Sequence, residues 1–167
     1  MNSTLRVVSI ALLMLMIASV PAIEGNSSGK HNQASAGCTC HSNAGGVTVG
    51  ENFPSSYNAG QSYPITIDVN GGTQAFIGGF SLQIDKGTLG NPSPDVQIAG
   101  MSATHTNSNQ RSFTLDWIAP AANSGTVSVD IAVLNGDGNF QNSGDGWAKT
   151  SLTITEIPPL NTPPTAS

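Results

Sequence analysis

Positive charge is scarce in this sequence. Lys and Arg together number five in 167 residues, against ten Asp and Glu, for a formal net charge of -5. A nucleic-acid-binding domain needs a basic footprint, so nucleic acid is excluded as a partner, and docking on acidic membrane surfaces is disfavoured for the same reason. Charge of either sign makes up only 9% of the chain, where ordinary soluble domains carry about a quarter. Gly, Ser, Thr and Asn stand in its place, which suits an extracellular β-protein rich in turns. Amphipathic helical periodicity is missing beyond the N-terminal run, and no internal repeat is present. There is no phosphate-binding loop and no Ser-His-Asp order with supporting context. Asp116 and Asp130 each fall on the outward side of a strand, so paired-carboxylate chemistry, which needs a cleft between the two groups, has no evident pocket. A non-enzymatic chain is expected.

Long apolar runs are equally few. The one present, "VVSIALLMLMIASV", follows Arg6 and leads to small residues around Ala22. It is shorter than the roughly 20 residues that cross a bilayer as a helix, and residues 1–22 read as a secretory signal peptide. Left uncleaved, this run would anchor the chain. That anchor, or one beyond this sequence, is the only route expected to a membrane. The other end, "EIPPLNTPPTAS", has four prolines and no apolar periodicity, as in extended spacers. Residues 157–167 are therefore read as a Pro-rich linker or tail, and the chain as the front piece of something longer. A secreted or cell-surface location follows, with an extracellular partner that the sequence does not name.

Between the ends, 23–45 is an N-terminal segment and 46–156 a single domain. Short alternating runs fill the domain: "GVTVG" (46–50), "SYPITIDVN" (62–70), "AFIGGFSLQID" (75–85), "DVQIAG" (95–100), "RSFTLDWIAP" (111–120), "GTVSVDIAVLN" (125–135) and "AKTSLTITEI" (148–157). Period-two alternation with turns between predicts about seven strands and an antiparallel, immunoglobulin-like β-sandwich. The run at 75–85 places Phe76, Phe80, Leu82 and Ile84 on one side. Phe80, Phe113 and Trp117 are expected in the core. The Gly78-Gly79 pair inside a strand predicts a bulge or a close approach by another group.

Three reactive side chains crowd into four positions, Cys38-Thr39-Cys40-His41, in "SAGCTCHSNAGG". Together with "GGFSLQI" and "THTNSNQRSFTLDWIAPAANSGTVSVDIAVLNGDGNFQNSGDGW", the stretch "GCTCHS" resembles the Reeler-like (reelin-domain) β-sandwich of exported prokaryotic proteins, also called the choice-of-anchor V domain, over residues 37–156. The resemblance implies an Ig-like surface domain attached to an anchoring or sorting segment, and implies no reaction. Many members of that family carry C-x-x-C-H where this chain has one residue fewer.

C-x-x-C-H is the attachment motif of c-type haem. On a helix its three side chains share a face. With the present spacing, a helix would align Cys38 with His41 and a strand would align Cys38 with Cys40, so only a turn could aim all three at one guest. Covalent haem is the favoured occupant, with His41 as one axial ligand and His105, in "ATHTNS", as the candidate for the other. Two alternatives stay open. One is a strained Cys38–Cys40 disulfide in an adhesion or interaction module. The other is a zinc or copper site using Cys38, Cys40, His41 and either His31 or His105. Separately, Asn135, Asp137, Asn139 and Asp145 place oxygen ligands along "NGDGNFQNSGDGW", which suits weak extracellular calcium binding. The competing reading is a hairpin loop built on positive-φ residues.

Overall fold

The computed structural model describes residues 26–158. The expected signal peptide, and all of the expected tail beyond residue 158, lie outside them. Among the described residues the architecture is all-β. Ten strands run in the order β1 (Val47–Glu51), β2 (Ser56–Tyr57), β3 (Ser62–Gly71), β4 (Gly79–Ile84), β5 (Thr88–Gly90), β6 (Val96–Ala99), β7 (Ser102–His105), β8 (Ser112–Ile118), β9 (Val127–Asn135) and β10 (Gly146–Glu156). They form a four-stranded sheet, β1-β3-β8-β5, and a six-stranded sheet, β2-β10-β9-β4-β7-β6. Neighbours are antiparallel except β2, which runs parallel to β10.

Alternation places the core where the sequence expects it. Ile65, Ile67 and Val69 of β3 and Phe113, Leu115 and Trp117 of β8 are buried from one sheet. Phe80, Leu82 and Ile84 of β4 and Val127, Val129, Ile131 and Val133 of β9 are buried from the other. The seven alternating runs all contain strands. The three further strands, β2, β5 and β7, are short and carry few large apolar residues. The run at 75–85 is corrected at its start: the strand begins at Gly79, and Phe76 is 64% exposed.

Residues 26–45 explain why β4 and β7 are buried on both faces. This segment crosses the outer face of the six-stranded sheet as a strap. The Asn32 amide donates to Ser102 Oγ on β7 (3.1 Å) and the Gln33 amide to Ser81 Oγ on β4 (3.3 Å). The Ser35 amide then donates to Gln83 Oε1 (3.3 Å), and Lys149 Nζ on β10 donates to the Ser35 carbonyl (2.8 Å). Small hydroxyl side chains on the sheet let the strap lie close, and its amides satisfy their buried oxygens. At Gly37 the strap passes over the Trp147 ring. A Cβ there would sit 2.7 Å from a ring carbon, at a φ of +84° that disfavours any other residue.

Candidate functional site

The strap ends in the Cys/His stretch and delivers it to the start of β10. The His41 amide donates to the Cys38 carbonyl at 2.9 Å, closing the four residues into one turn. The following residues are stitched to the loop before β10. The Ser42 amide donates to the Asn142 carbonyl and the Ala44 amide to the Asp145 carbonyl, each at 2.7 Å. The Gly144 amide donates to Ser42 Oγ (3.2 Å), and Asn43 Oδ1 accepts from the Trp147 amide (3.1 Å).

These ties set the His41 ring on a carboxylate. His41 Nδ1 lies 2.5 Å from Asp145 Oδ2, and Asp145 is 3% exposed. The other oxygen, Oδ1, accepts the Asp137 amide at 2.9 Å. Sequence reasoning assigned Asp145 to calcium and missed this pairing. Cys38 is half-buried and Cys40 exposed, and both are free thiols. Burial, reinforced by the nearby Cys40, pushes the Cys38 thiol up to about 12, which keeps it protonated and inert as a nucleophile at neutral pH. Cys40 is the thiol within reach of solvent.

His105 is not brought to this cluster. It was expected in a loop, but it ends β7 and is 9% exposed. The β4–β7 ladder pairs Ser81–Gln83 with Thr104–Ser102 and stops there. Beyond it, side chains take over the pairing: the Phe80 amide donates to His105 Nδ1 (3.1 Å), and Thr104 Oγ1 donates to the Phe80 carbonyl (2.6 Å). The ring packs against Phe80 and Phe113, with centroids 6.5 and 6.2 Å away. It also fills the space a Cβ at Gly79 would occupy, 2.5 Å from Cε1, which is the close approach expected at the Gly78-Gly79 pair. Two strands, β9 and β4, lie between β10 and β7, so three inter-strand steps separate the two backbones by about 14 Å. His31 is also remote: its Nδ1 is 3.3 Å from Ser102 Oγ on β7.

Burial lowers the His105 pKa, partly offset by backbone hydrogen bonds to Phe80 and Asn26. The sign follows from linkage. The unfolded chain takes up this proton at about pH 6.5, while the folded chain resists it until the pH is lower still. Stability is therefore complete above that value and declines as pH falls through the window between the two. Urea denaturation at stepped pH is expected to show this decline, and His105→Gln to flatten it.

The acidic loop spends its oxygens on the chain itself. Asn135 Oδ1 accepts from the Thr73 and Gln74 amides (2.8 and 3.2 Å), and its Nδ2 donates to the Gln74 and Ile77 carbonyls (2.9 and 2.5 Å). Asp137 accepts from the amide and side chain of Asn139 (2.9 and 2.7 Å), and Asn139 Oδ1 from the Gln141 amide (2.7 Å). Asp145 for its part holds the His41 ring and the Asp137 amide. Among the described residues no group of three or more His, Cys, Asp or Glu side chains is placed to hold a metal ion. The segment is the hairpin connection between antiparallel β9 and β10, and Phe140 in it takes a φ of +60°.

No protein-family model matches the chain, and no curated protein does. Among solved structures it is similar to the human F-spondin reeler domain in two fragments. One shares 17% identity over 69% of this chain and 95% of that one, with a TM-score of 0.49. The second shares 19% identity over 70% and 91%, with a TM-score of 0.46. The Reelin-N domain of F-spondin shares 15% identity over 78% and 86%, also at 0.46. The likeness is one of fold alone.

The turn can be tested against a c-type haem. A haem-ligating histidine uses one ring nitrogen for iron and is oriented through the other. His41 has Nδ1 on Asp145, which leaves Nε2 as the ring nitrogen to meet an iron. The exposed Cys40 lies next to His41 in the turn, with Cys38 three residues before the histidine. His41, oriented by Asp145, fits the group, and Cys40 is the more accessible of the two thiols.

Proposed function

We propose that the chain is an exported, non-enzymatic cell-surface module that carries a c-type haem on the Cys38–His41 turn. The charge-free run at 7–20 supports export. One observation carries the haem reading: a half-buried imidazole whose Nδ1 is 2.5 Å from a buried carboxylate, the arrangement that orients a ligating histidine. Cys40 would form the accessible thioether, Cys38 the second or none, and His41 would ligate the iron. When bound, the haem supplies one-electron transfer. Asp145 holds the imidazole in orientation, and the strap and the 142–145 segment hold both. His105 belongs to the β4–β7 gap and is withdrawn as the opposite ligand.

The test is expression in a host with a haem-attachment system, followed by absorption spectroscopy and intact mass. A sharp Soret band that survives acid-acetone extraction, with a mass increase of one haem, is expected. A colourless protein lighter by two hydrogens would overturn the reading in favour of an adhesion or interaction module clipped by a Cys38–Cys40 disulfide. A colourless protein holding stoichiometric zinc or copper would overturn it in favour of a metal site.

A further inference from the structure

The contact between His41 and Asp145 fixes more than orientation. Asp145 is buried and both its oxygens are engaged, Oδ1 by the Asp137 amide and Oδ2 by His41 Nδ1. An ionised carboxylate can only accept hydrogen bonds. With the carboxylate ionised, the hydrogen in the 2.5 Å contact between the two belongs to Nδ1. The partners are 104 residues apart in sequence and meet because backbone bonds from Ser42 and Ala44 join the turn to the loop, independently of the ring itself. We propose that Asp145 is a positioning residue that locks neutral His41 in the Nδ1–H tautomer, so that Nε2 is held as an electron-pair donor of raised basicity. Only the electronic consequence rests on the haem reading. A carboxylate-bonded imidazole pushes electron density toward its ligand, which favours the oxidised iron and lowers its reduction potential.

The tautomer is read in the haem-free protein by long-range ¹H–¹⁵N correlation of the imidazole ring in mildly alkaline buffer. Wild type is expected to show a protonated Nδ1 and an unprotonated Nε2. Asp145→Asn, which offers an amide donor in the same volume, is expected to lose that preference in favour of Nε2–H. Asp145→Glu, which keeps the carboxylate, is expected to retain it. Preserved strand amide resonances confirm that each variant folds. A wild type that is mainly Nε2–H, or an Asp145→Asn protein with the Nδ1–H form undiminished, overturns the proposal. In the haem-loaded protein, Asp145→Asn is expected to raise the reduction potential, and an unchanged potential would overturn the electronic part. If wild type accepts no haem, the proposed function falls, while the tautomer measurement still decides the role of Asp145.

Discussion

Replacing Trp117 with alanine is expected to lower folding stability by about 3–5 kcal/mol, the range for removing a fully buried large aromatic. Trp117 is 0% exposed and stands at the centre of an aromatic cluster. Tyr63 stacks on it at 5.5 Å, Tyr57 meets it edge-on at 5.7 Å, and Phe53 lies tilted at 6.0 Å. Its Nε1 donates to the Lys86 carbonyl at 3.2 Å, tying β8 to the turn before β5. Alanine would leave a cavity bounded by three rings that belong to different segments, and these cannot collapse together without breaking strand register. Each ring pair adds about 0.5–1.5 kcal/mol beyond burial. A domain of this kind has about 5–15 kcal/mol of total stability, so the variant should unfold at a much lower urea concentration. Trp117→Phe should recover part of the loss, since it refills much of the volume without restoring the hydrogen bond. An unfolding free energy within 1 kcal/mol of wild type, at unchanged m-value, would show that the cluster is not the centre of the core.

The residues that made the fold legible are those with large side chains at period two. Ile65, Ile67 and Val69, or Phe113, Leu115 and Trp117, announce a strand because each pair of steps returns an apolar group to the same face. The sequence "SATH" of β7 announces nothing. Its outward Ser102 and Thr104 are buried only because the strap covers them, and its strand character comes from pairing with β4 and β6. The strap was equally hidden, since it binds through backbone amides that every sequence possesses. Phe76 misled for a related reason. It continues the parity of Phe80, but the chain before Gly79 is held in a loop by Asn135 and by Arg111 Nη1, which donates to the Gln74 carbonyl at 3.0 Å.

At the site, the spacing of Cys38, Cys40 and His41 leaves only a turn open to a shared guest, and the stretch is a turn. The partner of His41 was not legible. Asp145 stood in a Gly/Asn/Asp-rich stretch where every oxygen is a candidate ligand. Which oxygen meets which hydrogen depends on how the loop before β10 closes onto the end of the strap. His105 was misplaced for the opposite reason. A histidine among Thr, Asn and Ser reads as exposed, yet the broken β4–β7 ladder needs a side chain to replace its missing backbone partner.

Asn135 supplies the second large effect and separates a structural role from calcium binding. It is 1% exposed, and its amide fills four hydrogen bonds to the 73–77 backbone. Asn135→Ala removes both donor and acceptor and leaves two amides and two carbonyls to find new partners, at about 1–3 kcal/mol for each that stays buried and unpaired. Partial relaxation of the loop toward water sets the expected loss at about 3 kcal/mol. Asn135→Asp is the sharper test. It keeps the shape and the acceptor but replaces two donors with a buried charge facing the Gln74 and Ile77 carbonyls. A clamp would be destabilised by that change at neutral pH, whether or not calcium is added. A calcium ligand would gain affinity from the added charge, and calcium would then raise the melting temperature of Asn135→Asp above that of wild type. The loss is expected to be indifferent to calcium, because the side chain already spends its oxygen and its nitrogen on the backbone it holds.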